Sequence, residues 1–265
     1  MENNYTYEKE QYSKPRLISL KSIVILILCF ALCVSIKPAI DNIIIMTDQY
    51  NYSEYLKKLE KQKNEKGIES IANINSDFLG WLEIDDVNLS LPIVKTDSTQ
   101  KENYYLDHDY KKEKNSLGCP YQVCNMSLDG YNTMFVGHSA YNTTVLGNTN
   151  YQSLFGKLND YLSINNKYNY KIKFETTTKV YNYKIFGVFR FYIKDTTTEK
   201  YKEIVNNIYS NNISSQNDYD NFISCVKKYS IINSEYDFEF GDKFLTLFTC
   251  YSNLSYRTIV VAKQI

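Results

Sequence analysis

Histidine is nearly absent from this chain of 265 residues, which carries only two, His108 and His138. Any chemistry that needs an imidazole must pass through one of them. An excess of charge of either sign is also missing, since 30 basic and 30 acidic side chains balance to zero. No lysine or arginine stripe interleaves with aromatics outside the lysine-rich segment near residues 48–67, which argues against a nucleic-acid partner. There is no glycine-rich phosphate cradle, paired-carboxylate signature or histidine metal motif, so the chain requires no nucleotide cofactor and no metal. Cysteine is sparse, with six in all. Cys119 and Cys124 lack the tight spacing of zinc ligands. A bridge involving either is permitted, but the six do not make a disulfide framework. Cys29 and Cys33 lie in an apolar run, and Cys225 falls in a predicted helix.

The remaining cysteine stands differently. Cys250 ends the apolar run Phe244-Leu-Thr-Leu-Phe-Thr-Cys250, and six residues separate it from Arg257, which opens a second run, Arg257-Thr-Ile-Val-Val-Ala262. Two strand-like runs joined by a polar link predict a hairpin with a thiol and a guanidinium side by side at its rim. A thiol needs neighbouring positive charge or a base to become a useful nucleophile. Arginine keeps its proton and cannot be that base, but it can hold an oxygen that becomes negative when a carbonyl is attacked. Proton transfer then falls to a histidine. His138 in Asn132-Thr-Met-Phe-Val-Gly-His-Ser139 ends an apolar run, whereas His108 lies in the polar, aromatic stretch Tyr104-Tyr-Leu-Asp-His-Asp-Tyr110. Each residue also has a plainer reading: a buried strand cysteine, a solvated rim arginine and a turn histidine.

The body of the chain from Phe78 onward predicts short strands, among them Trp81-Leu-Glu-Ile84, Leu91-Pro-Ile-Val94 and Thr133-Met-Phe-Val136. Tyr170-Lys-Ile-Lys-Phe174 facing Tyr181-Asn-Tyr-Lys-Ile185 predicts a second hairpin. Many short antiparallel strands with few helices favour a closed barrel over a βαβ sheet. Two helices interrupt them, over 198–211 and 219–231, with Thr196 to Thr198 as cap of the first and Asp218 or Asp220 as cap of the second. Tyr52, Tyr55, Leu56 and Leu59 stand at helical spacing and predict an amphipathic helix over 48–67. Near the N-terminus, residues 22–36 carry no charge and lie between Lys21 and Lys37. Fifteen residues make about 22 Å of helix, short against a hydrocarbon core of about 30 Å. Snorkelling lysines and the moderately apolar 38–46 extend it, which predicts an uncleaved signal anchor with its basic flank inside and the long domain outside.

Thr246-Leu-Phe-Thr-Cys250 followed by Arg257 resembles the signature of the sortase family, in which Thr-Leu-x-Thr-Cys ends one strand and an arginine begins the next. Asn75-Ser-Asp-Phe-Leu-Gly-Trp-Leu-Glu-Ile84 resembles the entry into the sortase barrel. Asn103-Tyr-Tyr-Leu-Asp-His-Asp-Tyr110, Asn115-Ser-Leu-Gly118 and the Gly137-His138 pair resemble its class B branch. The resemblance runs from about residue 70 to the C-terminus. It implies a mainly β fold, an eight-stranded closed barrel with N-terminal helices and a helix between strands six and seven that forms one wall of a substrate groove. It also implies Cys250 as nucleophile, His138 as acid/base and Arg257 as the oxyanion-holding and substrate-orienting residue, with His108 outside the chemistry and no cofactor.

The activity implied is that of a thiol transpeptidase of a Gram-positive cell wall, which cuts a C-terminal sorting signal of secreted proteins and joins the new carboxyl end to a peptidoglycan amine. Its partners would be the sorting-signal peptide, a peptidoglycan precursor or cross-bridge amine, and the lipid bilayer through the anchor. The alternatives are a pilin-polymerising or class D-like sortase and a non-catalytic, membrane-anchored peptide-binding barrel. The expected layout is a cytoplasmic tail (1–21), a membrane signal anchor (22–46), a helical segment (47–76) and a catalytic barrel (77–265), giving a single-pass membrane protein with its catalytic domain extracellular. The insert 139–154 is left open between a lid and a surface loop.

Overall fold

The computed structural model describes residues 20–96, 103–123, 126–140, 153–163, 168–210, 213–233, 235–251 and 255–265. In chain order its elements are helix α1 (Leu20–Lys66), the short helix α2 (Glu69–Ala72), strands β1 (Phe78–Ile84), β2 (Leu89–Lys95), β3 (Tyr121–Gln122), β4 (Asn132–Gly137), β5 (Ser139–Ala140), β6 (Ser153–Leu154), β7 (Lys171–Glu175) and β8 (Val180–Tyr192), helices α3 (Glu199–Ile204) and α4 (Gln216–Tyr229), and strands β9 (Phe244–Tyr251) and β10 (Tyr256–Gln264). Two compact units result, residues 1–47 and 48–265.

The described part of the first unit is helical, with Leu28 and Phe30 among its exposed apolar side chains. Among the described residues no helix is long and apolar enough to cross a membrane. This corrects the expected signal anchor over 22–46, and with it the lipid bilayer as a partner and the single-pass membrane location. The charge-free run ends at Lys37 after about 22 Å of helix, and its extension brings in Pro38, Asp41 and Asn42. Snorkelling lysines do not make up that shortfall.

In the second unit α1 behaves as its pattern predicts. Tyr52 and Leu59 are buried, and Tyr55 and Leu56 pack half-buried beside them, a stripe that lies along one side of a 3.6-residue helix. Lys63, one turn beyond Leu59, is a buried cation with two carboxylates to meet it. It hydrogen-bonds Glu83 on β1 and lies 3.9 Å from Glu175 on β7, while Lys173 reaches the same two carboxylates at 3.1 and 3.2 Å. Burial pushes the Glu83 carboxyl up, but the hydrogen bonds and charges of the two lysines outweigh it and hold the group below its ordinary value.

Eight strands close into a barrel in the order β1-β2-β3-β4-β9-β10-β8-β7, with β1 and β7 completing the ring from Trp81↔Glu175 to Glu83↔Lys173. Alternation along the strands divides the apolar side chains between two faces. Leu82, Ile93, Phe135, Phe174, Leu245, Leu247 and Val260 share the interior core. Phe189, Phe244, Phe248, Ile259 and Val261 form an outer core with Phe222 and Val226 of α4. The predicted hairpin of β7 and β8 pairs Ile172 with Tyr183 and Phe174 with Tyr181.

Helices α3 and α4 lie between the sixth and seventh barrel strands in chain order. Thr198 caps α3, its hydroxyl accepting from the Tyr201 amide at 3.3 Å, and a π-helical turn, Val205–Tyr209, follows. The cap of α4 is Ser215, not Asp218 or Asp220. Asp218 sits three residues inside and completes a capping box, its carboxylate accepting from the Ser215 amide at 3.0 Å while the Ser215 hydroxyl accepts from the Asp218 amide at 3.2 Å.

Replacing Leu59 by Ala is expected to cost about 2–4 kcal/mol, read as a lower urea midpoint; a loss too small to resolve would mean that α1 does not brace the barrel. Glu83, with its lowered folded value, contributes stability that is complete above the ordinary carboxylate value of about 4.3 and is lost as pH falls through the lower folded value. Glu83→Gln should therefore remove part of the acid sensitivity of unfolding, and an unchanged pH profile would show that the Lys63 and Lys173 pairs carry none of it.

Candidate active site

Three neighbouring strands set the geometry. β4 runs parallel to β9 with Val136↔Phe248 and Gly137↔Thr249 in register. β9 runs antiparallel to β10 with Thr249↔Thr258 and Cys250↔Arg257 in register. The backbone of residue 250 is thus one step beyond the Gly137↔Thr249 rung, the last of the β4–β9 pairing, and opposite Arg257 on its other side. At about 4.8 Å between adjacent strands, β4, β9 and β10 span about 10 Å at this rim, and His138 directly follows β4. For residue 250 the description is of its backbone. Gly137 keeps this rim tight, because a Cβ there would lie 2.8 Å from the ring of the buried Phe155 and 3.1 Å from Pro120.

His138 is half-buried, with Nε2 2.8 Å from the Leu106 carbonyl. Leu106 ends the single turn Tyr104–Leu106, which a buried polar cage holds against the N-terminal helices. The Tyr105 hydroxyl donates to Asp77 Oδ2 at 2.6 Å and accepts from Asn75 Nδ2 at 3.1 Å. Asn75 Nδ2 also donates to the Tyr110 carbonyl at 2.8 Å, and the Tyr110 hydroxyl donates to the Ile71 carbonyl at 2.9 Å. Burial first, and the Asp77 hydrogen bond second, push the Tyr105 phenol far up, so it remains a donor. His108 is committed elsewhere: its ring stacks on Tyr104 with centroids 3.9 Å apart, and its Nδ1 lies 2.7 Å from Asp107 Oδ1.

Arg257 is half-buried and donates from Nη1 to the Tyr256 carbonyl at 3.2 Å. The next residue, Thr258, belongs to an interior network. Its hydroxyl donates to Asn159 Oδ1 at 2.5 Å, and Arg190 Nη2 donates to the same oxygen at 3.1 Å. Asn159 Nδ2 donates to the Gly156 carbonyl at 2.9 Å and lies 3.5 Å from Ser139 Oγ. One asparagine thereby links the residue after Arg257 to the residue after His138. Sequence reasoning missed Asn159, which has no local signal. It also missed the Leu106 carbonyl, although Leu106 stood in a stretch marked as class B-like. Tyr209, from the turn after α3, meets Phe248 edge-on with centroids 4.1 Å apart, which brings that helical region against the strand leading to Cys250.

Cys119 and Cys225 are free and buried. Burial raises both thiols, Cys119 far up and Cys225 to about 11, where the Glu203 charge adds to the effect. Among the described residues no group of three or more His, Cys, Asp or Glu is placed to hold a metal ion. The ends of the 139–154 insert pair as β5 and β6, Ser139↔Leu154 and Ala140↔Ser153. Its middle, 141–152, lies outside the described residues, as does Cys124.

The eight strands form a closed barrel in which β9 sets Cys250 opposite Arg257 of β10. The chain belongs to the sortase family, whose domain model matches residues 82–265. It is 27% identical over 205 residues to sortase B of Staphylococcus aureus, covering 75% of this chain and 74% of that one. It is 27% identical over 193 residues to sortase B of Listeria monocytogenes, covering 71% and 69%. The crystal structure of S. aureus sortase B superposes with a TM-score of 0.62 at 26% identity, over 82% of this chain and 98% of that one. The protein is therefore a sortase B-like member of the cysteine transpeptidases that act in cell-wall sorting.

Brief treatment of the native protein with a thiol-alkylating reagent at pH 8 should leave Cys119 and Cys225 unmodified, and unfolding should expose both. Equal labelling of either in the native and unfolded protein, read by peptide mass spectrometry, would contradict their burial.

Proposed function

We propose that the protein cleaves a C-terminal sorting signal of secreted proteins and transfers the new carboxyl end to an amine of peptidoglycan, with Cys250, His138 and Arg257 as the reacting group. The observation that supports this most directly is the register of β4, β9 and β10, which sets Cys250 opposite Arg257 and pairs β4, the strand that leads directly into His138, with β9 up to the residue before Cys250. We assign the catalytic barrel to residues 77–265, with the helical segment 47–76 bracing it.

The chemistry is a double displacement. The Cys250 thiolate attacks the carbonyl carbon of the scissile peptide bond, in the family's manner after a threonine of an Asn-Pro-x-Thr-like sequence, and the carbonyl oxygen becomes an oxyanion. The Arg257 guanidinium holds that oxygen with fixed donors, acting where charge develops. The C–N bond then breaks as protonated His138 gives its proton to the departing amine, leaving a thioester on Cys250. The acceptor amine attacks the thioester, His138 takes the amine proton, and the thiolate leaves. No redox partner is needed, and the proton His138 loses in the first half is regained in the second. The helices between β8 and β9 form one wall of the peptide groove, in keeping with the contact of Tyr209 on Phe248.

Incubation with a library of sorting-type peptides should yield a thioester adduct on Cys250, detectable by mass spectrometry, and the peptide captured reports the recognised sequence. Cys250→Ala should abolish both adduct and cleavage while leaving the fold intact, so activity retained in that variant would sink the proposal. Arg257→Lys should lower kcat/KM by roughly 100-fold, the scale of losing one oxyanion donor, because a point charge does not reproduce the planar donor fork. Near-normal kcat/KM would reduce Arg257 to a rim charge.

A further inference from the structure

The contact at His138 fixes more than the place of the ring. We propose that the Leu106 carbonyl is a positioning acceptor that keeps a proton on His138 Nε2, so that Nδ1 is the atom that gives and takes the catalytic proton. This inference rests on His138 being the acid/base of the proposed reaction.

A carbonyl oxygen can only accept, so a ring nitrogen 2.8 Å from it must be an N–H. Neutral imidazole has a single N–H, and the hydrogen bond made by one nitrogen decides the protonation of the other. With Nε2 committed to Leu106, neutral His138 carries its lone pair on Nδ1. In the reaction the imidazolium loses the Nδ1 proton to the departing amine, and Nδ1 accepts one from the incoming amine. Nε2–H stays on Leu106 throughout, spreading the cation's charge onto a peptide dipole when the ring is protonated.

The carbonyl is held on both sides in the chain. The Leu106 amide donates to the Asn103 carbonyl at 2.9 Å, the Tyr105 carbonyl accepts from the Cys119 amide at 2.9 Å, and the Asp107 carbonyl accepts from the Asn115 amide at 2.8 Å. The side chain of Tyr105 is locked in the cage of Asp77 and Asn75. Gly118 supplies the remaining constraint. Its φ of +60° is a left-handed conformation, and a Cβ there would lie 2.8 Å from the Leu106 oxygen and collide with the Tyr105 carbonyl. A side chain at 118 would push away the very oxygen that His138 uses. The loop 103–118 therefore acts on the chemistry through one backbone atom, and Gly118 is a positioning residue that never meets the substrate.

Nitrogen-15 NMR of the full chain tests this directly, because the two histidines are separated by comparing the wild type with His108→Gln. At a pH where His138 is neutral, its Nε2 should show the protonated, pyrrole-type signal and its Nδ1 the unprotonated, pyridine-type signal. The reverse assignment would overturn the inference whatever any variant does. Gly118→Ala should lower kcat by roughly 10- to 100-fold with little change in KM, the scale expected for a catalytic group displaced by about 1 Å, and should add the second tautomer to the His138 spectrum. A folded Gly118→Ala protein with unchanged kcat and an unchanged tautomer would also overturn it. Loss of the acid/base reading itself has a separate signature, wild-type transfer by His138→Ala. An inactive His138→Ala protein whose parent shows the Nδ1–H tautomer would remove this inference alone.

Discussion

The parallel pairing of β4 with β9 is the constraint on which the rest depends. Antiparallel neighbours can be joined by a tight turn, as β9 and β10 nearly are, but parallel strands must be brought together by the remainder of the fold. Here more than a hundred residues separate Gly137 from Thr249, and they include β7, β8 and both helices of the outer layer. The closure of the barrel through β1 and β7, the packing of Phe222 and Val226 on Phe244 and Phe248, and the seating of Phe155 against Gly137 hold that one pairing in register. In a sheet a one-residue slip sends every side chain to the opposite face. The rim would then present Gly137 where His138 stands, with no change in sequence at residue 250.

Two polar networks brace this rim from opposite sides. On the α1 side, Asn75, Asp77, Tyr105 and Tyr110 are buried and satisfied by one another and by backbone carbonyls. Inside the barrel, Asn159 binds Thr258 and Arg190. Buried polar groups cost more than apolar ones when a partner is lost, so each network allows fewer alternative arrangements than an apolar core would. The residues next to His138 and Arg257 are thereby fixed more sharply than packing alone would fix them.

Much of the fold was legible because it is local. The hairpin of β9 and β10 follows from two apolar runs and a polar link, and that of β7 and β8 from period-2 alternation. The α1 stripe follows from the spacing of Tyr52, Tyr55, Leu56 and Leu59. The cap of α4 is Ser215 rather than the predicted Asp218 or Asp220, because in a capping box the acidic residue stands third and a serine opens it. The predicted anchor fails because snorkelling side chains do not supply the length that fifteen uncharged residues lack. The number of barrel strands came only through family resemblance, and the pairing of β4 with β9 was not legible at all, since spacing in one dimension does not encode a parallel pairing. A carbonyl oxygen such as that of Leu106 lies further out of reach, because every residue carries the same group and nothing in the side chain announces which one is used.

Thiol selection follows from the same architecture. Cys119 and Cys225 lie where burial raises the thiol, so neither presents a thiolate near neutral pH. The apolar run ends at residue 250, one residue before β9 itself ends at Tyr251. A cysteine two residues deeper on the same face would stand at the place of the buried Phe248, and one placed in the link would lose the register with Arg257. The rung of Cys250 and Arg257 is the last but one of the β9–β10 pairing, followed by Tyr251↔Tyr256. The sortase signature places its cysteine and its arginine on that rung, and on the other side β9 pairs with β4, which ends one residue before His138.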